Sequence, residues 1–188
     1  MILFVNACVR PQSRTKRLAL AVLTKLGGDV KEVDLERENV LPLNNAALEY
    51  RLKRVSEGDF DDSMFDLAKD FAAAEKIVIA APYWDLSFPA LLKCYIEQIS
   101  VIGLTFAYND AGQPYGLCKA DRLIYVTTSG GPMFNEDAGF GYIKSLAQNF
   151  YGIQNVFCLK AENLDLIGAD AESILKKAEK QFVAGDER

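Results

Sequence analysis

The sequence predicts an α/β protein: a doubly wound, five-stranded parallel sheet with helices on both faces. Three observations predict it. Five short apolar runs alternate with helical patterns along the 188 residues, the order that yields right-handed βαβ units. The run Ile77-Val78-Ile79-Ala80-Ala81 is apolar at every position, as in a strand covered on both faces. Every run is β-branched or aromatic in part and bounded by polar or turn residues, as strands are.

Taken in order, Ile2-Leu3-Phe4-Val5 is the first strand. Thr15 to Leu26 follows as a helix, with Leu18, Val22 and Leu26 four residues apart and so on one face. Val30 to Leu35 is the second strand. Glu36 to Asp62 is a charged insertion with some helical character. Ser63 to Glu75 sets Phe65, Leu67, Ala68 and Phe71 largely on one side of a helix. Ile77 to Ala81 is the third strand. From Phe88 to Ile102, apolar residues recur in three- and four-residue steps on more than one face of a helix. Leu104 to Lys119, with Asp110-Ala111-Gly112 and Pro114, has the turn chemistry of a hairpin or excursion. Leu123 to Thr127 is the fourth strand, Ile143 to Phe150 a helix, Asn155 to Leu159 the fifth strand and Ala169 to Val183 the last helix. Five strands connected this way form a flavodoxin-like sheet of order 2-1-3-4-5. The length suits one domain over 1–188.

Composition narrows the chemistry. A hydrophobic content of 50% supplies a sizeable core, and a net charge of −5 argues against nucleic acid or an anionic membrane as partner. Met1 to Val5 lacks a positively charged leader and is too short to span a bilayer, so a cytoplasmic protein is expected. Cys8, Cys94, Cys118 and Cys158 are scattered without a C-x-x-C pair, and no metal site is expected. There are no histidines, which excludes histidine-based triads and histidine-ligated metals. An enzyme of this composition must move protons with carboxylates, tyrosines or water, or delegate the hard step to a cofactor.

Ligands of such sheets bind beyond the carboxyl ends of the strands, where three loops are informative. The first, Cys8 to Thr15, leads into a helix start. Free amides there suit phosphate, Ser13 and Thr15 add hydroxyls, and Arg10 or Arg14 can add charge-assisted bonds. Neither G-x-G-x-x-G nor G-x-x-x-x-G-K-[ST] occurs, so a monophosphate fits better than a dinucleotide or triphosphate. The second loop, Pro82-Tyr83-Trp84-Asp85-Leu86, offers flat apolar surface. The third, Thr127 to Pro132, contains Gly130-Gly131, which lets backbone approach a ligand closely. Each loop alone has a plainer reading: a capped helix with solvated arginines, core aromatics in a connection, a Gly-Gly-Pro turn. Their co-location describes a site for a phosphorylated planar cofactor, and FMN meets that description.

Four segments carry a more specific likeness: Ser13-Arg14-Thr15-Lys16-Arg17-Leu18, Ala81-Pro82-Tyr83-Trp84 with Leu91-Leu92-Lys93, Gly103-Leu104-Thr105-Phe106-Ala107-Tyr108, and Thr128-Ser129-Gly130-Gly131. In matching order over nearly the whole chain, joined by Tyr151-Gly152-Ile153, they resemble the FMN-dependent NADH:quinone oxidoreductases and azoreductases. The resemblance implies a homodimer with two FMN sites at its interface. It also implies ping-pong transfer of two electrons from NADH or NADPH to a quinone, azo compound or similar planar acceptor. It implies that Ser13 and Thr15 hold the FMN phosphate, that Pro82, Tyr83, Trp84 and Asp85 with Thr128, Ser129, Gly130 and Gly131 contact the isoalloxazine, and that Phe106, Tyr108 and Phe150 border the substrate face. The chain departs from the pattern at Cys8, where many relatives carry serine, and at Tyr83-Trp84-Asp85-Leu86, where Met-Tyr-Asn-Phe is common. Asp85 is expected either to oppose negative charge on the reduced ring or to point to solvent or cap the following helix, with its backbone amide alone touching the ring.

Two other functions share the fold: a flavodoxin-type electron carrier without NAD(P)H turnover, and a non-catalytic scaffold. The apolar helix and the 104–119 excursion favour the enzyme, because a carrier needs neither substrate walls nor a dimer seam. The helix's excess apolar face, with Phe106 and Tyr108, is expected beneath a second subunit. The alternative is that Glu36 to Asp62 folds over it.

Overall fold

The computed structural model describes residues 1–182; Val183, the end of the last predicted helix, lies outside them. The elements run β1 Ile2–Asn6, α1 Arg14–Leu26, β2 Val30–Asp34, α2 Asn45–Ser56, a 3-10 turn Ser63–Phe65 leading into α3 Asp66–Ala73, β3 Lys76–Ala80, and α4 Ala90–Ile99. Then follow β4 Phe106–Tyr108, β5 Pro114–Gly116, β6 Arg122–Thr128, α5 Tyr142–Leu146, β7 Asn155–Ala161 and α6 Ala171–Gln181. The main sheet is parallel with order β2-β1-β3-β6-β7, the predicted 2-1-3-4-5. β4 and β5 form the separate antiparallel hairpin predicted between residues 104 and 119.

The central strands divide their side chains between two cores by simple alternation. Leu3 and Val5, Ile77 and Ile79, and Leu123 and Tyr125 face one way, where Phe71, Tyr95 and Ile143 of α3, α4 and α5 cover them. Ile2 and Phe4, Val78 and Ala80, and Ile124 and Val126 face the other way, beneath Leu18 and Val22 of α1 and Leu175 of α6. β1 has all five residues buried. That is why these runs read as uniformly apolar instead of alternating.

Two helices differ from expectation. The pattern from Phe88 to Ile102 shortens to α4, because Pro89 occupies the N-cap and the residue before a proline is steered out of helical backbone. Leu92, Tyr95, Ile96 and Ile99 form one buried stripe; Phe88 and Ile102 lie beyond the helix ends. Ser100 closes it, its Oγ donating to Ile96 O at 2.7 Å and sharing a 2.8 Å bond with the Tyr151 hydroxyl. The predicted helix from Ile143 to Phe150 is a single α turn, α5, between π-helical turns at Asp137–Gly141 and Ala147–Tyr151. Wide turns of this kind gather where a helix must redirect side chains. The insertion's helical character is α2, capped by Asn44, whose Oδ1 accepts from Ala47 N at 2.9 Å. It is tied to the last turn of α4: Arg51 Nη1 donates to Glu97 O at 2.7 Å and Gln98 Nε2 to Leu41 O at 3.0 Å.

The hairpin is fastened by backbone. Leu117 N–H donates to Thr105 O at 3.0 Å, and Gly116 lies so close to the Tyr151–Gly152 peptide that a Cβ there would collide with it. Gly116→Ala should therefore destabilise the protein by about 1–3 kcal/mol, the cost of overpacking where rigid backbone cannot yield. Gly131→Ala, with nothing within 4 Å of the new methyl group, should leave the denaturant midpoint unchanged or raise it slightly, because alanine narrows the freedom of the unfolded chain.

Candidate functional site

Past the strand ends, hydrogen bonds of sheet type continue into the loops. Ala7 N–H donates to Ala80 O at 2.9 Å, Ala81 N–H to Val126 O at 3.0 Å, Tyr83 N–H to Thr128 O at 3.0 Å and Ser129 N–H to Ala161 O at 3.0 Å. The loops after β1, β3, β6 and β7 are thus laced together at the carboxyl edge. Between them opens a crevice of about 240 Å³, several times the space of one water.

The crevice brings together nine of the predicted residues: Arg10, Ser13 and Thr15 from the first loop, Pro82, Tyr83 and Trp84 from the second, and Thr128, Ser129 and Gly130 from the third. Ser13 is the N-cap of α1, its Oγ accepting from Lys16 N at 3.2 Å. Helix geometry leaves the amides of Arg14 and Thr15 without an intrahelical acceptor. Thr15 Oγ1 lies 2.6 Å from Thr128 Oγ1, a buried bond joining the first and third loops. The Arg10 guanidinium stands 6.0 Å from the centre of the Trp84 ring, at the outer limit of a cation–π contact.

Cys8 lies beneath these groups. Its Sγ donates to Ala80 O at 3.6 Å. Burial pushes its thiol up to about 11, against smaller lowering effects led by the Ser13 hydrogen bond. The side chain is therefore neutral at physiological pH and acts as a small apolar wall rather than a nucleophile.

Asp85 and Gly131 adjoin the crevice without lining it. Asp85 is exposed at the tip of a two-residue turn in which Trp84 N–H donates to Ser87 O at 3.1 Å and Ser87 N–H to Trp84 O at 2.7 Å. Both central residues have positive φ, +51° at Asp85 and +65° at Leu86. Turns of this hand prefer Asn-Gly, and sequence reasoning did not anticipate one at Asp-Leu. Left-handed backbone costs an ordinary residue about 1–2 kcal/mol, and such strain collects at ligand sites.

A fourth loop was missed. Asp165, just past β7, also lines the crevice. It pairs with Arg14 at 2.8 Å and its N–H donates to Gly130 O at 2.9 Å. No motif marks it. Only its place after the fifth strand, at the same sheet edge, nominates it.

Phe106, Tyr108 and Phe150 do not join the crevice. They form their own cluster, with Phe106 ring centroids 5.6 Å from Tyr108 and 4.9 Å from Phe150. Phe150 precedes the start of β7, and Asn155 Nδ2 donates to Asp121 O beside the start of β6, so this cluster sits at the amino edge. Five parallel residues span roughly 17 Å, which separates the two groups within one chain. Among the described residues, no cluster of cysteine and acidic side chains could hold a metal ion, and no helix is long and apolar enough to cross a membrane.

A parallel sheet of this order, with a helix N-terminus, aromatic rings and a glycine loop around one carboxyl-edge crevice, defines a protein of the flavodoxin-like class. The family model described as "Flavodoxin-like fold" matches residues 1–184. Within it, the chain is 33% identical over 187 residues to FMN-dependent NADH:quinone oxidoreductase 2 of Clostridium acetobutylicum, covering 93% of this chain and 92% of that protein. It is 30% identical over 186 residues to FMN-dependent NADH:quinone oxidoreductase of Clostridium beijerinckii, covering 94% and 93%. The chain belongs to the family of the FMN-dependent NADH:quinone oxidoreductases. Among solved structures, azoreductase from Bacillus anthracis Sterne superposes with a TM-score of 0.81 at 24% identity, over 96% of this chain and 95% of that one. FMN-dependent NADH-azoreductase from B. anthracis Ames Ancestor, in complex with FMN, gives 0.78 at 21% identity, over 96% and 94%. These two likenesses establish the fold.

The strained turn yields a test of stability. Leu86→Gly should raise the unfolding free energy by roughly 0.5–1 kcal/mol, once the greater unfolded-state freedom of glycine is subtracted from the relieved strain. Denaturant titration measures it; a lower midpoint would mean that Leu86 packs favourably in its left-handed conformation.

Proposed function

We propose that this chain is an FMN-dependent NAD(P)H oxidoreductase acting on quinones, azo compounds or similar planar acceptors, as a single-domain cytoplasmic homodimer. One observation carries the reading: in a member of this family, a single crevice joins the anion-binding start of α1 to the Tyr83–Trp84 wall and the Gly130 loop.

The donor set fits FMN. Ser13, Thr15 and the amides at the start of α1 would take the phosphate, with Arg10 nearby. Pro82, Tyr83 and Trp84 would wall one side of the ring system. Thr128, Ser129 and Gly130 would meet its polar edge, and Asp85 and Gly131 would contribute through their backbone. Bound there, FMN would supply two-electron redox chemistry between a nicotinamide donor and a planar acceptor. The chain's own task is to orient the ring, exclude water from one face and leave the other open to donor and acceptor in turn, which is the geometric basis of ping-pong turnover.

Phe106, Tyr108 and Phe150 lie at the opposite edge of their own chain, where Ile102, Tyr108, Tyr115 and Leu117 are also exposed. Phe106 is buried against its two neighbours, so it would act only by backing them; Tyr108 and Phe150 would wall a substrate site if a second copy presents them to the crevice, as the homodimer reading requires. The insertion covers part of this side itself, through the bonds of Arg51 and Leu41 to the end of α4 and through Phe60, whose ring lies over Gly103, while Tyr108, Tyr115 and Leu117 stay exposed.

Titrating the apoprotein with FMN and riboflavin tests the site. A charge-assisted bond is worth about 1.5–3 kcal/mol, so Ser13→Ala should weaken FMN about ten-fold or more while riboflavin changes little. Equal losses for both ligands would reduce Ser13 to its capping role. NADH oxidation by the FMN-loaded protein with a quinone acceptor separates the enzyme from an electron carrier. Light scattering at micromolar concentration should give twice the chain mass of 20.8 kDa; the monomer mass would remove the dimer and the shared substrate face.

A further inference from the structure

Asp165 stands where an anion site should not hold a carboxylate. It lines the same crevice as Ser13 and Thr15, and a phosphate dianion there would be repelled by it. Three features show that its position is built. The backbone of its loop is clasped to the third loop by three bonds: Asn163 N–H to Gly131 O at 3.2 Å, Leu164 N–H to Ser129 O at 3.1 Å and Asp165 N–H to Gly130 O at 2.9 Å. Its Oδ2 occupies the space over Gly130 where a Cβ would collide. Its Oδ1 accepts from Arg14 Nη2 at 2.8 Å, while Arg14 Nη1 donates to Leu164 O at 3.2 Å.

Arg14 is the first residue of α1 and itself lines the crevice. A guanidinium has five N–H donors in a rigid fork. The bonds to Leu164 and Asp165 fix its plane and use two of them. Among the described residues the remaining donors have no partner and can meet an anion at the helix start, and the fixed fork loses little further freedom on binding.

We propose that Asp165 is a positioning residue for the phosphate end of the cofactor, holding Arg14 as the charged member of the phosphate site. The inference rests on the FMN reading above. The ion pair cancels the carboxylate's repulsion, and the attraction a phosphate would feel is the short-range one of the remaining Arg14 donors. Gly130 has a second role in this arrangement: besides close approach to the ring, its missing side chain leaves room for Asp165. One carboxylate thereby ties the phosphate loop to the ring loop, and the two ends of the cofactor are held in a common frame.

The test is a double-mutant cycle on apoprotein, read as Kd for FMN and for riboflavin. Arg14→Gln should weaken FMN about ten-fold and Asp165→Asn about five-fold, with riboflavin unchanged in both, which also shows that the variants fold. The double variant should bind FMN no more weakly than Arg14→Gln alone, and more tightly to the extent that Arg14→Gln leaves the Asp165 carboxylate unpaired beside the phosphate. The weakening of FMN binding by added salt should be smaller in Arg14→Gln than in the parent protein. FMN binding that tightens or does not change in Asp165→Asn overturns the inference and makes the carboxylate a repulsive or idle neighbour. Losses that multiply in the double variant overturn it as well. A parent protein that binds riboflavin and FMN equally well removes Arg14 from phosphate recognition. A parent protein that binds neither fails at the functional reading itself, before Asp165 is at issue.

Discussion

Burial of both faces of β1, β3 and β6 is the constraint on which the rest of this molecule depends. A strand with all five residues inside, as β1 has, leaves no solvent side from which a ligand could be approached. Helices must cover both faces, and a helix that covers a face must return the chain to the start of the next strand. Every strand of the main sheet therefore points the same way, and the loops that build the crevice leave from one edge. The crevice follows from this directionality, because the chain leaves β1 for α1 on one face and β3 for α4 on the other.

At that edge, backbone does most of the positioning. The bonds from Ala7, Ala81, Tyr83 and Ser129 to the neighbouring strands extend the sheet beyond the point where side chains are packed. Buried amides must find acceptors, so a loop satisfied by the strand beside it is held as firmly as a strand. The side chains of Ser13, Thr15 and Thr128 then act at the rim of a rigid frame. The left-handed pair Asp85-Leu86 is the exception, a place where local sequence preference yields to the geometry the turn must adopt.

The sheet was legible in the sequence because double burial removes polar residues from the central strands, leaving unmistakable runs. β2 was legible despite three exposed positions, because Val33 and Leu35 still mark its inward side. The three loops were legible through residues of special chemistry: hydroxyls at a helix start, Pro before aromatics, paired glycines. Asp165 was not, since a carboxylate in a polar loop carries no signal until its partner Arg14, 151 positions away in sequence, is placed beside it. The extent of α4 was misjudged because Phe88 and Ile102 continue a helical spacing that Pro89 and Ser100 interrupt. The aromatic cluster at the amino edge shows a different limit: sequence order reveals which residues share an edge of the sheet, but not which surface each one faces.

The hairpin of β4 and β5 is fixed by contacts that are blind to most of its side chains. A glycine laid against the Tyr151–Gly152 peptide, a backbone bond from Leu117 to Thr105, and the buried Thr105 hydroxyl donating to Ile99 O hold it in place. Tyr108, Tyr115 and Leu117 project from this anchor and are themselves exposed. Folding thus exerts little selection on them. Those positions can drift across generations, trading one aromatic or aliphatic group for another, while the scaffold beneath stays intact.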